Sequence, residues 1–310
     1  MKIILPGGAG LVGQNLVVSL SESGFTEIVV IDKNQYNLHI LAKVHPEVEC
    51  VHADLAVVGD WQKCFSGCDG IVILNAQIGA KSPEPFIANN ITATEKVIDA
   101  IEEYCPQARV VHVSSSVVNS VVEDLYVKTK TEQEQIVRRR LPLAVVLRPT
   151  LMFGWFDRKH LGWLSRFMKK TPVFPIPGDG RYMRQPLYVG DFCSIIQGCL
   201  KNPAIEGLYN ISGRTRIDYV DLIRSIKNAV DSRTMIIRIP YKAFQWLLQL
   251  YAVFDSNPPF TVSQLEALVA PDEFEVIDWP SIFEVSETQL DEALELTFNH
   301  PVYSEQILQF

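Results

Sequence analysis

Tyr126 and Lys130 stand four positions apart in the run Tyr126-Val127-Lys128-Thr129-Lys130, and on a helix that spacing turns both side chains to one face. An isolated tyrosine loses its proton only near pH ~10, whereas a neighbouring ammonium stabilises the phenolate and lowers that value. The pair is therefore suited to shuttling a proton. Ser114-Ser115-Ser116 lies a short way upstream, and a serine hydroxyl at the edge of the same pocket could bond a substrate oxygen as its charge changes. A second chemical signal sits at the other end of the chain. Gly7-Gly8-Ala9-Gly10-Leu11-Val12-Gly13 follows a short apolar run, and glycines placed there permit a tight turn that lets backbone amides approach a pyrophosphate at a helix N-terminus. Asp32 ends the next apolar run, 19 positions after Gly13. Its carboxylate can accept both hydroxyls of an adenosine ribose and would repel a 2′-phosphate, which selects NAD over NADP; Lys33 beside it pulls slightly the other way.

These residues need strands and helices to hold them. Apolar runs at Lys2–Leu5, Glu27–Asp32, Val48–Leu55, Gly70–Leu74, Val110–Val113 and Ala144–Leu147 predict six strands. Segments long enough for crossovers separate them, with helices predicted over Leu11–Leu20, Ile91–Tyr104 and Tyr126–Arg140. Parallel neighbours require such crossovers, so residues 1–150 predict an α/β fold: a Rossmann-type, doubly wound parallel sheet. After Gly154 the rhythm breaks, and prolines at 172, 175, 177, 240, 258, 259, 271 and 280 cut the chain into short pieces. Residues 151–310 predict a smaller, mixed substrate-binding lobe, some of whose segments return to the first domain.

Composition narrows the partners. With 28 Lys+Arg against 36 Asp+Glu the net charge is −8, which gives no general attraction to nucleic acid or anionic lipid. Six scattered cysteines without zinc-like spacing predict reduced thiols, no metal site and a cytoplasmic protein. The first residues are too short an apolar run for a signal peptide. The stretch Ala243–Phe254 falls short of a membrane span; it predicts a buried helix, with an interfacial helix as the weaker reading. His52 and His112, on strands, predict core positions, and four of the five tryptophans likewise, Trp155 being the one placed for a cleft.

Taken together, these residues resemble the short-chain dehydrogenase/reductase superfamily in its extended or atypical form, the NAD-dependent sugar-nucleotide epimerases and dehydratases. The resemblance runs along essentially the whole chain. It implies that Ser116, Tyr126 and Lys130 are catalytic. It further implies NAD contacts at Gly7, Gly10, Leu11, Val12, Gly13, Asp32, Lys33, Asp54, Leu55, Leu74, Asn75, Ala76, Asn90, Ser114, Tyr126, Lys130 and Pro149. Gln77, Ser116, Leu151 and Arg184 would face a nucleotide-sugar substrate, Arg184 as the diphosphate anchor. The implied activity is epimerisation, dehydration or reduction of that sugar. Pro6 replaces the family's threonine, Leu151 its substrate-binding asparagine, and Trp155-Phe156 its Pro-Gly, and only ten positions separate Ser116 from Tyr126. That short loop is similar to members related to the NADH-ubiquinone oxidoreductase accessory subunit, which implies the alternative of a dinucleotide-binding scaffold or sensor. The family dimerises through the helix carrying YxxxK and the helix before it. Here the former reads polar over Thr129, Thr131, Glu132, Gln133, Glu134, Gln135, Arg138 and Arg139, which predicts a monomer or a weak, polar homodimer.

Overall fold

The computed structural model describes residues 1–120, 124–254, 262–269 and 274–309. Its first half alternates strands β1 (Lys2–Pro6), β2 (Glu27–Asp32), β3 (Glu49–His52), β4 (Gly70–Ile73), β5 (Arg109–Val113) and β6 (Val145–Pro149) with helices. The helices are α1 (Leu11–Glu22), α2 (Gln35–Val44), a single turn α3 (Glu84–Phe86) running through a wide π-turn at Ile87–Thr92 into α4 (Ala93–Tyr104), and α5 (Leu125–Arg140). The second half holds β7 (Met152–Phe153), α6 (His160–Lys170), β8 (Val173–Pro177), β9 (Met183–Arg184), β10 (Leu187–Tyr188), α7 (Val189–Lys201), β11 (Leu208–Ile211), β12 (Ile217–Asp218), α8 (Tyr219–Ala229) and β13 (Met235–Ile239). It closes with α9 (Tyr241–Phe254), α10 (Val262–Val269), α11 (Trp279–Phe283) and α12 (Leu290–Asn299).

Seven strands form one parallel sheet in the order β11-β6-β5-β4-β1-β2-β3. The fold is therefore α/β and doubly wound, as the alternating pattern predicts. Both faces of such a sheet are covered, so its strands read as unbroken apolar runs whose side chains divide by alternation. Ile3, Leu5, Val111 and Val113 face α1 and α7, joining Leu16, Leu20, Phe192 and Ile196 in one core. Ile4, Ile71, Ile73 and Val110 face the other way and meet Val97, Ile101, Ile136, Trp61 and Phe65. Strand order reverses between β1 and β4, and a crevice at the carboxyl ends of the strands is the expected ligand position at such a switch.

Two segments from beyond residue 150 complete this layer: β11 pairs with β6 in register Leu208 to Val146, and α7 packs on α1. The rest builds a separate core around Phe153, Phe174, Ile176, Tyr219, Ile223 and Leu294. The chain then returns to its beginning. Leu308 is buried with Val18, Ile40 and Phe156. The Gln309 carbonyl accepts from the Asn34 and Asn37 side-chain amides at 2.8 and 2.9 Å, while its N–H donates to Asn37 Oδ1 at 2.8 Å.

Several expectations are corrected. His52 is exposed, because β3 is the edge strand, whereas His112 is fully buried as expected. Trp155 packs at tilted angles against His300 and Tyr303 on the flank of α1 and donates to the Leu296 carbonyl; the cavity it lines there, with Asn15, Val18, Ser19 and Tyr188, does not include Tyr126. The helix over Ala243–Phe254 is not buried: Trp246 is 60% exposed, and Leu247 and Leu250 are also outside. Thr129, Gln133 and Glu134, expected on the outer polar face of α5, turn inward and are buried. Among the described residues no helix is long and apolar enough to cross a membrane, and no cluster of ligands could hold a metal.

Candidate functional site

The glycine turn closes against β4. Gly7 takes a left-handed backbone (φ 76°), and a Cβ there would lie 2.4 Å from Asn75 Cα, so only glycine lets the turn approach that strand end. A Cβ on Gly13 would fall 2.1 Å from the Gly8 carbonyl, which makes that glycine a packing requirement between helix and turn. Gly10 differs from both. It is the N-cap of α1, it makes no side-chain cap, and a Cβ there would meet nothing within 4 Å. An uncapped helix start facing open space suits a pyrophosphate, whose charge the free N–H groups and the helix dipole favour.

Asp32 sits at the end of β2, where Ala9 N–H donates to Oδ2 at 3.0 Å and Asn34 N–H to Oδ1 at 2.9 Å. Burial lifts its carboxyl above the ordinary value, with the backbone bonds and the Lys33 ammonium working against that rise. Lys33 reaches across to Asn89 Oδ1 at 2.5 Å. Asp54 is exposed and Leu55 buried beyond β3. The Asp32 carboxylate, which accepts from the Ala9 and Asn34 N–H groups, keeps lone pairs that could take ribose hydroxyls; the Asn75 amide oxygen is buried without a hydrogen-bond partner among the described residues.

A polar network ties the ends of β4 and β5 to the π-turn and α5. Asn75 donates to the Asn89 carbonyl and to Thr94 Oγ1, at 2.8 and 3.0 Å. Asn90 accepts from Gln77 N–H at 2.6 Å and donates to Thr129 Oγ1 at 2.9 Å. Leu74 is half-buried and Ala76 exposed beside them. Along the inner face of α5 the stripe Tyr126, Lys130, Glu134 carries three titratable groups, with Gln133 beside it. Gln133 donates to the Asn75 carbonyl and to Thr94 Oγ1. The Lys130 ammonium is fully buried and donates to the Val113 carbonyl at 3.2 Å and to Gln133 Oε1 at 2.5 Å. Burial pulls it down to about 7, the Glu134 carboxylate acting in the opposite sense. His112 beneath it is held well below its ordinary value by burial and by Lys130, and so is neutral.

Tyr126 meets Ser115, not Ser116, at the end of β5. Burial raises the phenol above its ordinary value, the Ser115 hydrogen bond opposes this, and Asp124 adds to it. Ser116 instead opens a short 3₁₀ turn. Ser114 is turned away, donating to Glu134 Oε2 at 2.7 Å. Glu134 is also gripped by Arg148 through Nε to Oε2 at 2.9 Å and Nη2 to Oε1 at 2.6 Å. Burial works against that carboxylate, but the bonds from Arg148 and Ser114 outweigh it and hold the group below its ordinary value. The pair pins α5 to β6, whose last residue is the buried Pro149. Further out, Leu151 is half-exposed after β6, and the Arg184 guanidinium on β9 donates to the Met183 carbonyl at 2.9 Å.

Ser115, Gln133, Glu134 and Arg148 belong to this site. The signal for two of them lies in the sequence, for Glu134 as the continuation of the i, i+4 stripe from Tyr126 and for Arg148 as a lone arginine at a strand's carboxyl end.

Residues 3–212 match the model of the NAD dependent epimerase/dehydratase family. The chain is similar to a ceramide reductase of Caulobacter vibrioides, 24% identical over 245 residues that cover 77% of this chain and 73% of that protein. It is also similar to the mitochondrial NADH dehydrogenase [ubiquinone] 1 alpha subcomplex subunit 9 of Rattus norvegicus, 25% identical over 52% of this chain and 42% of that one. Among solved structures, the dTDP-glucose 4,6-dehydratase of Bacillus anthracis in complex with NAD superposes with a TM-score of 0.72, at 19% identity over 96% of this chain and 95% of that one.

Proposed function

Because the chain belongs to the NAD-dependent epimerase/dehydratase family, we propose that it is an enzyme of that family acting on a nucleotide-linked sugar, with Tyr126 as the group that moves the proton. NAD, when bound, supplies a hydride acceptor for the carbinol carbon. The chain's own contribution begins at the glycine turn, where Gly10 leaves the start of α1 open for a pyrophosphate and Asp32 presents its carboxylate to the ribose. Tyr126 holds its proton at neutral pH, since burial raises the phenol. Oxidation of the carbinol requires that proton to leave first, so that the Tyr126 phenolate can take the hydroxyl proton; the phenol so formed would return it to the alkoxide when the hydride is given back, with Ser115 orienting the phenolic oxygen. Ser116 is proposed as a substrate contact, with Gln77, Leu151 and Arg184 around it. The observation that carries the reading is the half-buried Tyr126–Ser115 contact at the carboxyl end of β5, one helical turn ahead of Lys130.

Calorimetric titration with NAD and NADP, followed by a panel of UDP-, GDP- and dTDP-sugars, tests the proposal. NAD binds more tightly than NADP, Asp32→Ala removes that preference, and Tyr126→Phe abolishes turnover while leaving NAD binding in place. Tighter binding of NADP, or turnover that survives Tyr126→Phe, refutes it.

A second reading, a dinucleotide-binding scaffold or sensor, is favoured by the state of Lys130. Its ammonium is spent on Gln133 and the Val113 carbonyl inside the core, and Tyr126 answers to burial, Ser115 and Asp124. On this reading NAD binds and stabilises the protein, and no sugar nucleotide is converted.

A further inference from the structure

We propose that the outer face of β13 and α9 docks the protein onto the surface of a bilayer containing anionic lipid. The helix α9 carries an apolar stripe on its outer side as well as on its inner one. Tyr241, Phe244 and Leu248 are half-buried and form its inner side, while the outer stripe is Ala243, Trp246, Leu247 and Leu250, all exposed. Surface helices of soluble proteins place polar residues on that side. The strand leading into it extends the patch, because Met235 and Ile237 alternate onto one side of β13 and both are exposed, Met235 at 61%.

Charge selects the occupant. Between Ser232 and Phe254 the sequence contains Arg233, Arg238 and Lys242 and no aspartate or glutamate, within a chain of net charge −8. All three are exposed. Met235 N–H donates to the Pro172 carbonyl at 2.8 Å, which brings the end of α6, with exposed Lys169 and Lys170, to the start of the same strand. A net-negative protein is repelled by an anionic surface over most of its area, so a basic island that also carries an exposed tryptophan and leucines fixes which side approaches. Tryptophan and leucine beside lysine and arginine is the composition that settles at the headgroup boundary. A second copy of the chain would instead bring the same cations face to face. Attachment would be peripheral, since no described helix is long and apolar enough to cross.

The test is flotation of the full chain with phosphatidylcholine vesicles, with and without a minority of phosphatidylglycerol. The protein floats with the anionic vesicles and is released by high salt. Arg233→Glu and Lys242→Glu each weaken binding at least about fivefold, the factor that about 1 kcal/mol per cation represents. The exposed double change Trp246→Ser with Leu247→Ser abolishes flotation while circular dichroism and the thermal midpoint stay as in the parent. Failure of the parent to float, equal flotation with neutral vesicles, or variants that bind like the parent would each overturn the proposal. So would a dimer in light scattering that the Trp246→Ser/Leu247→Ser variant loses, because a second copy would then occupy the face.

Discussion

Replacing Lys130 by methionine removes a charge from the interior and keeps nearly the same volume. Burial brings the ammonium from 10.5 to about 7. At about 1.4 kcal/mol per tenfold change in proton affinity, holding it charged inside the fold costs about 5 kcal/mol. The unfolded chain keeps this proton up to its ordinary value, whereas the folded chain keeps it only below about 7. Between those limits the unfolded state binds more protons, so the parent gains stability as pH rises; below the window the slope vanishes and the full cost remains. Methionine abolishes the slope. It also leaves Gln133 Oε1 and the Val113 carbonyl without their donor, a loss of about 3 kcal/mol for buried acceptors. The variant should therefore be more stable than the parent by about 2 kcal/mol at weakly acid pH and less stable by about 3 kcal/mol in strong base. Urea unfolding of the NAD-free protein, followed by far-ultraviolet circular dichroism at both extremes, measures the crossover. A difference between variant and parent that is the same at every pH would show that the ammonium is not desolvated in the way the structure requires.

Gly10→Ala and Gly13→Ala separate binding from folding: the first should keep the thermal midpoint and lose NAD in calorimetry, because its Cβ enters only open space. The second should lower the midpoint sharply, since the clash with the Gly8 carbonyl outweighs the ~1 kcal/mol that alanine otherwise gains in a helix. Asp191 accepts from Thr288 N–H and Oγ1, yet burial raises its carboxyl to about 6 against those bonds. Here the folded state keeps its proton to higher pH, so stability falls as pH rises from 3.8 to about 6 and the cost persists above. Asp191→Asn should therefore raise urea-unfolding stability by up to about 3 kcal/mol at pH ~7.5 and give no gain at pH ~4.

Much of the fold was legible because parallel strands declare themselves. Ile28-Val29-Val30-Ile31 can only be a run covered on both faces, and the glycine turn after β1 leaves few alternatives to a helix at Leu11. The inner face of α5 was hidden for the opposite reason. Periodicity reports burial where the inside is apolar, but this helix buries Thr129, Lys130, Gln133 and Glu134, so its pattern reads as solvated all round. Their partners, Asn75, Thr94, Ser114 and Arg148, come from four other elements, and no local spacing encodes such a meeting. The choice of Ser115 over Ser116 turns on the orientation of one residue at a strand's end, which composition cannot distinguish. In α9 the error had another source, since a tryptophan and leucines at helical spacing imply an apolar partner without saying whether the protein supplies it.

The return of Leu308 and Gln309 to Asn34 and Asn37 bears on how the molecule is made. The hydrogen bonds join residues 272 and 275 positions apart, and β11 joins the parent sheet only after residue 208 has been added. A ribosome releases the nucleotide half in sequence long before it releases the pieces that finish it. During synthesis the β6 edge and the flank of α1 stand uncovered, which exposes unpaired strand backbone to other chains. Folding can thus be completed only after residue 309 has left the exit tunnel, and truncations that spare every residue of the glycine turn should still accumulate as insoluble protein.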